Sequence, residues 1–158
     1  MLVNPKIIIL MRAKYINENF SNILKPKCDE EIWNDVEDID INYLLQKFCR
    51  TGFLYGVKKV IEKGANINVY GDEALITASG EGYTEIVKLL LEKGANVHAE
   101  IDSPLNDAIF YRHIDTIKIL LNAGADVHAH DGYFLETSKR RTDQTIYNLL
   151  VNNEFKSD

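Results

Sequence analysis

The sequence predicts an all-α solenoid of tandem helix–turn–helix units joined by short inter-repeat loops. Two observations carry that expectation. Residues 71–100 and 101–130 match at 11 of 30 positions without a gap, and residues 41–70 match 71–100 at 9. Within each copy the apolar residues recur at steps of three and four and stop at a glycine, as in Glu85-Ile86-Val87-Lys88-Leu89-Leu90-Leu91-Glu92-Lys93-Gly94. The fixed period divides the chain into residues 1–40, read as a helical N-terminal extension, and residues 41–158, read as the repeat domain. The units are expected at about 41–70, 71–100 and 101–130, with a degenerate closing unit at 131–158.

In the extension, Pro5 and Pro26 bracket a stretch in which Ile8, Met11, Tyr15, Ile16, Phe20, Ile23 and Leu24 keep the spacing of one or two amphipathic helices. Residues 29–40 then hold seven acids, Asp29, Glu30, Glu31, Asp35, Glu37, Asp38 and Asp40, threaded by Ile32, Trp33, Val36 and Ile39. That pattern reads as a solvated helix whose apolar side covers the first repeat. The competing reading is an acidic docking site for a basic partner, with the repeats serving as support.

The copy at 71–100 shows the unit most clearly. Leu75 and Ala78 open a short helical face, and Gly80 and Gly82 are expected to end it, since glycine reaches the left-handed cap conformation without strain. A second helix follows with Ile86, Val87, Leu90 and Leu91 on one stripe and Glu85, Lys88 and Glu92 toward water. In the next copy Ser103 is expected as the N-cap and Pro104 at the first helical position, where a missing N–H costs nothing. Stacking would set Leu90 and Leu91 beside Val60 and Ile61 on one side and Leu120 and Leu121 on the other. The first unit carries Phe48 where later ones have Ala78 and Ala108. The last keeps Leu135 and Leu150 in register but has Glu154 where a glycine is expected.

At 158 residues, 46% hydrophobic and 27% charged, the chain has the composition of a globular protein with a real core. A net charge of −6 argues against general affinity for nucleic acid, which needs a basic surface. The longest apolar run near the start, Ile7 to Met11, is far short of the ~20 residues that span a bilayer. Cys28 and Cys49 form no disulfide framework or zinc pattern and are read as buried thiols. An intracellular monomer that neither enters membranes nor binds nucleic acid is the expectation.

The repeated residues resemble the ankyrin repeat. Ser103-Pro104-Leu105-Asn106-Asp107-Ala108 is similar to that family's Thr-Pro-Leu-His-x-Ala, and Gly82-Tyr83 to its Gly-His. Gly94-Ala95-Asn96-Val97-His98-Ala99 and Gly124-Ala125-Asp126-Val127-His128-Ala129 are similar to its Gly-Ala-Asp-Val-Asn-Ala. The similarity covers roughly residues 41–155. The period is 30 rather than the common ~33, so the projecting hairpin of an ordinary repeat should be cut to a tight loop. Repeats of this length look most like those of ankyrin proteins carried by giant DNA viruses of amoebae. The resemblance implies a non-catalytic scaffold or adaptor that binds a partner protein across a concave face of loops and first helices. Carried onto this register, the contact positions are Asp72, Glu81, Asp102, Phe110, Tyr111, Arg112, Arg140 and Arg141. Phe110-Tyr111-Arg112 stands out, because aromatic and arginine side chains dominate interface hot spots.

No catalytic, cofactor or metal site is expected. His98 and His128 sit one unit apart, about 8–10 Å by helix packing, too far for one zinc at Zn–N distances of ~2.0–2.1 Å. His113 and His130 add no third ligand at useful spacing. Gly80-Glu81-Gly82 lacks the rest of any nucleotide fingerprint, and no nucleophile elbow or metal-hydrolase motif is present. Lys139-Arg140-Arg141 reads as a solvated basic turn.

Overall fold

The computed structural model describes residues 40–140 and 144–154, with side chains for 40–139 and 144–152. Among them lie eight helices and no strand: α1 Ile41–Thr51, α2 Leu54–Glu62, α3 Glu73–Gly80, α4 Thr84–Glu92, α5 Ala99–Phe110, α6 Ile114–Asn122, α7 Tyr133–Arg140 and α8 Gln144–Glu154. They pair as α1–α2, α3–α4, α5–α6 and α7–α8. First helices pack on first helices and second on second, giving a two-layer, all-α repeat fold. The N-terminal extension, apart from Asp40, lies outside the described residues, as does Arg141.

The core repeats with the sequence. Leu45, Leu75 and Leu105 are fully buried at one position of the period, and Val60, Leu90, Leu120 and Leu150 at another. Leu90 is therefore flanked by its counterparts, while Ile61 and Leu91 sit half-buried at the margin. The last unit departs at one position: Phe134 is buried, as Leu44, Ala74 and Pro104 are at its place in the period, but Leu135 is only partly so. No described helix packs beyond α7 and α8. The first unit accommodates its odd residue by a volume exchange. Phe48 meets Phe53 edge-on at 5.3 Å, and both rings lie where a Cβ on Gly56 would stand, 2.7 and 2.4 Å away. Later units carry Ile86 or Thr116 there and need only alanine opposite.

The glycine that ends each second helix does so by a Schellman motif. Gly94, at φ 93°, donates to the Leu91 carbonyl, and Ala95 to the Leu90 carbonyl. Gly64-Ala65 and Gly124-Ala125 repeat the arrangement. The first helices end similarly at Gly52 and Gly82, but in the third unit the left-handed residue is Arg112, at φ 65°. Gly80 is an ordinary helical residue, so of the two glycines expected to end α3 only Gly82 does so.

The shortened loops are left-handed. Three successive residues with positive φ precede each later first helix: Tyr70-Gly71-Asp72, Glu100-Ile101-Asp102 and His130-Asp131-Gly132. In α5 this places the start of regular helix at Ser103, not after it. Ser103 is not the N-cap; its hydroxyl donates to the Glu100 carbonyl at 2.8 Å. Pro104, one position further in than expected, still lies within the first turn, where a missing N–H is harmless.

Leu90→Ala should lower the unfolding free energy by about 2–5 kcal/mol in urea titration, because the cavity opens between two neighbouring units. Ile101→Gly should do the reverse. Ile101 is 66% exposed, and relieving a β-branched residue of left-handed backbone should outweigh the entropy of glycine, raising stability by about 1 kcal/mol. A lowered midpoint in that variant would show that the loop does not have this conformation.

Candidate functional site

The face made by the first helices and the ends of the loops holds most of the positions expected to contact a partner, but not all of them point outward. Asp72 and Asp102 were expected at the surface and are only 7% and 4% exposed. The Asp72 carboxylate accepts the Asn96 backbone N–H at 3.0 Å, and that of Asp102 accepts the Asp126 N–H at 2.9 Å. Asn42 does the same for Asn66 at 2.7 Å. Each acceptor stands at the start of a unit and closes it onto the loop that leaves its second helix. The residue so held turns its own side-chain oxygen to the N–H two residues on, from Asn66 to Asn68, Asn96 to His98 and Asp126 to His128. Asp72 and Asp102, expected as contact positions, therefore have a structural use inside the array: a buried donor left unmatched is costly, and these oxygens match it. His98 leans on the same group, its Nδ1 3.1 Å from the Asp102 carboxylate.

Phe110, Tyr111, Arg112 and Glu81 do reach solvent. Phe110 and Tyr111 are 56% and 58% exposed and meet edge-to-face at 4.9 Å. The sequence left open whether one ring would turn inward over the glycines; Tyr111 leans toward Gly80 without burying itself, 3.8 Å from where a Cβ would be. Beneath it His113 is anchored, its Nε2 donating to the Gly80 carbonyl at 2.9 Å. That ring lies across Gly82, where a Cβ would stand 2.4 Å from Nδ1, and Tyr83 covers Gly52 in the same way at 2.6 Å. Phe110 and Arg112 also border a small pocket of about 40 Å³ with Tyr133, Thr137 and Ile146, between the third and fourth units. Arg140 is the last residue of α7 and is described as backbone alone.

Little here supports other chemistry. Burial pushes the Cys49 thiol up to about 12, so it is no nucleophile at neutral pH. Among the described residues no three His, Cys, Asp or Glu side chains converge on a metal-sized space, and no helix is long and apolar enough to cross a membrane. His113 and Asp107 were not among the expected contact positions. Both lie at the groove between neighbouring first-helix ends, and their signal was their adjacency to the Phe110-Tyr111-Arg112 run.

Tandem helical pairs closed by Schellman glycines and stacked through one apolar stripe define a helical-repeat solenoid. The family model for ankyrin repeats (3 copies) matches residues 10–101 and 57–131, more than half of the sequence, and the chain belongs to the ankyrin-repeat family. Ankyrin repeats are generally protein–protein interaction modules, and proteins built from them are typically non-catalytic scaffolds. No curated protein matches the sequence as a relative.

The closing role of Asp102 has a direct consequence. Asp102→Ala should cost about 1–3 kcal/mol of stability by stranding the Asp126 N–H, whereas Asp102→Asn should cost far less, since Asn42 already performs this task with an amide. Equal midpoints for all three proteins in chemical denaturation would remove the structural role.

Proposed function

We propose that the chain is a non-catalytic adaptor or scaffold that holds one partner protein across the concave side formed by its first helices and loop ends. The observation that carries this reading is the Phe110–Tyr111 pair. Two large rings stand together in water at a helix end, where the preceding unit has Gly80 and Glu81. Rigid aromatic groups of this kind supply interface area at little cost in side-chain entropy. Arg112 strengthens the reading. It occupies a left-handed position that two earlier units give to glycine, and backbone strain of that kind is kept where a side chain is used.

Glu81, Arg140 and Arg141 are proposed to extend the contact along the same side by register. The thirty-residue period further supports placing the chain with the ankyrin proteins of giant amoebal DNA viruses, acting as a monomer in the host cytoplasm.

Affinity capture with the full chain and with Phe110→Ala plus Tyr111→Ala tests the site. Unchanged far-ultraviolet circular dichroism must first show that the double variant folds. A partner held by the native chain should be reduced tenfold or more on the variant, roughly the loss of one hot spot. A partner retained equally by both would move the binding site away from these rings, with residues 1–40 the next place to look.

A further inference from the structure

Between α1, α3 and α5 the first-helix face is cut by an open groove of about 560 Å³. Its middle is open because Gly80 has no side chain; a Cβ there would touch Asp107 at 3.4 Å. Glu73 on α3 and Asp107 on α5 line it from adjacent units, Tyr111 forms one wall, and Glu81 adds a third carboxylate. The positive groups are Arg50, on the α1 side, and His113 when protonated, whose Nε2 is engaged with the Gly80 carbonyl. Burial, and then the Glu73 charge, push the Asp107 carboxyl above its ordinary range. The Glu73 charge therefore works against ionisation of Asp107, and a cation beside the Asp107 carboxylate would oppose that effect.

We infer that this groove seats one cationic side chain, a lysine or arginine, from an extended segment of the partner protein, with its charge at Glu73 and Asp107 and its stem along the Tyr111 ring. The inference rests on the reading that the partner lies on this face, and it names what the partner brings. Charge complementarity selects that occupant. The acid-rich stretch at 29–40 of this chain and any phosphate-bearing ligand carry the wrong sign. The exposed tyrosine adds a cation–π surface that an aliphatic or acidic side chain cannot use in the same way.

The test uses the full chain, isotopically labelled for NMR, and three probes: the N-acetyl methylamides of lysine, arginine and norleucine. Norleucine keeps the aliphatic stem and lacks the charge. The lysine and arginine probes should give saturable shifts at the Gly80 and Tyr111 amides and the Asp107 carboxyl, with affinity about fivefold or more above norleucine. Glu73→Gln plus Asp107→Asn should erase that preference, while the remaining amide signals stay in place to show an intact fold; Asp107→Asn alone serves if they do not. Norleucine binding as tightly as lysine, or cations shifting the double variant equally, overturns the inference. It does so without touching the partner-capture result, which depends on Phe110 and Tyr111 together and fails or succeeds on its own.

Discussion

Everything in this structure follows from how little chain is available to pass from one helical pair to the next. A thirty-residue unit has no room for a projecting hairpin, so the backbone reverses through three consecutive left-handed residues. That turn delivers Asn42's counterparts, Asp72 and Asp102, to the start of their helices with their oxygens directed at the loop 24 residues on. In the closed units Val60, Leu90, Leu120 and Leu150 are all fully buried at one position of the period. Left-handed backbone is unfavourable for most residues, so the loops are held in place by the packing they make possible. Stability is accordingly shared among neighbours, not owned by any one pair.

The same economy shapes the candidate binding face. With the hairpins gone, what projects is the end of each first helix, and the three units differ most there. The second unit ends in Gly80-Glu81-Gly82 and the third in Phe110-Tyr111-Arg112, so one is hollow and the other raised. The groove beneath Tyr111 is the direct result of setting those two endings side by side. A surface of this kind is varied by a handful of side chains on a repeated helical scaffold.

The helical pairs, their boundaries at Gly94 and Gly124 and the file of buried leucines were all legible in the sequence, because apolar period and glycine position report on helices directly. The left-handed triads were not. Ile101 argues against positive φ on every local criterion, and only the length constraint of the array overrides it. The burial of Asp72 and Asp102 was not legible for a related reason: a charged residue beside a loop looks exposed when its acceptor duty lies 24 residues away. The recurrence of Asn42, Asp72 and Asp102 opposite Asn66, Asn96 and Asp126 was visible in the period, and it was the available clue. Phe110 and Tyr111 stand out in the sequence because they break the repeat, and departures from a pattern are easier to see than hidden uses of it.

The rings of Tyr83 and His113 lying across Gly52 and Gly82 bear on how such an array can be rearranged by recombination. Each of the first three units carries a ring at this position, Phe53, Tyr83 or His113, and the first two have a bare glycine that receives the next ring. Excising residues 71–100 would bring His113 to Gly52, a junction of the same type as the ones it replaces. Duplicating the third unit would instead set a histidine ring against the Arg112 side chain. The residue one period beyond His113 is Asp143, without a bulky ring, so the glycine and its covering ring are lost from the sequence together. A whole unit can thus be removed from within at a glycine junction, whereas copying the third unit would place a ring against a left-handed arginine.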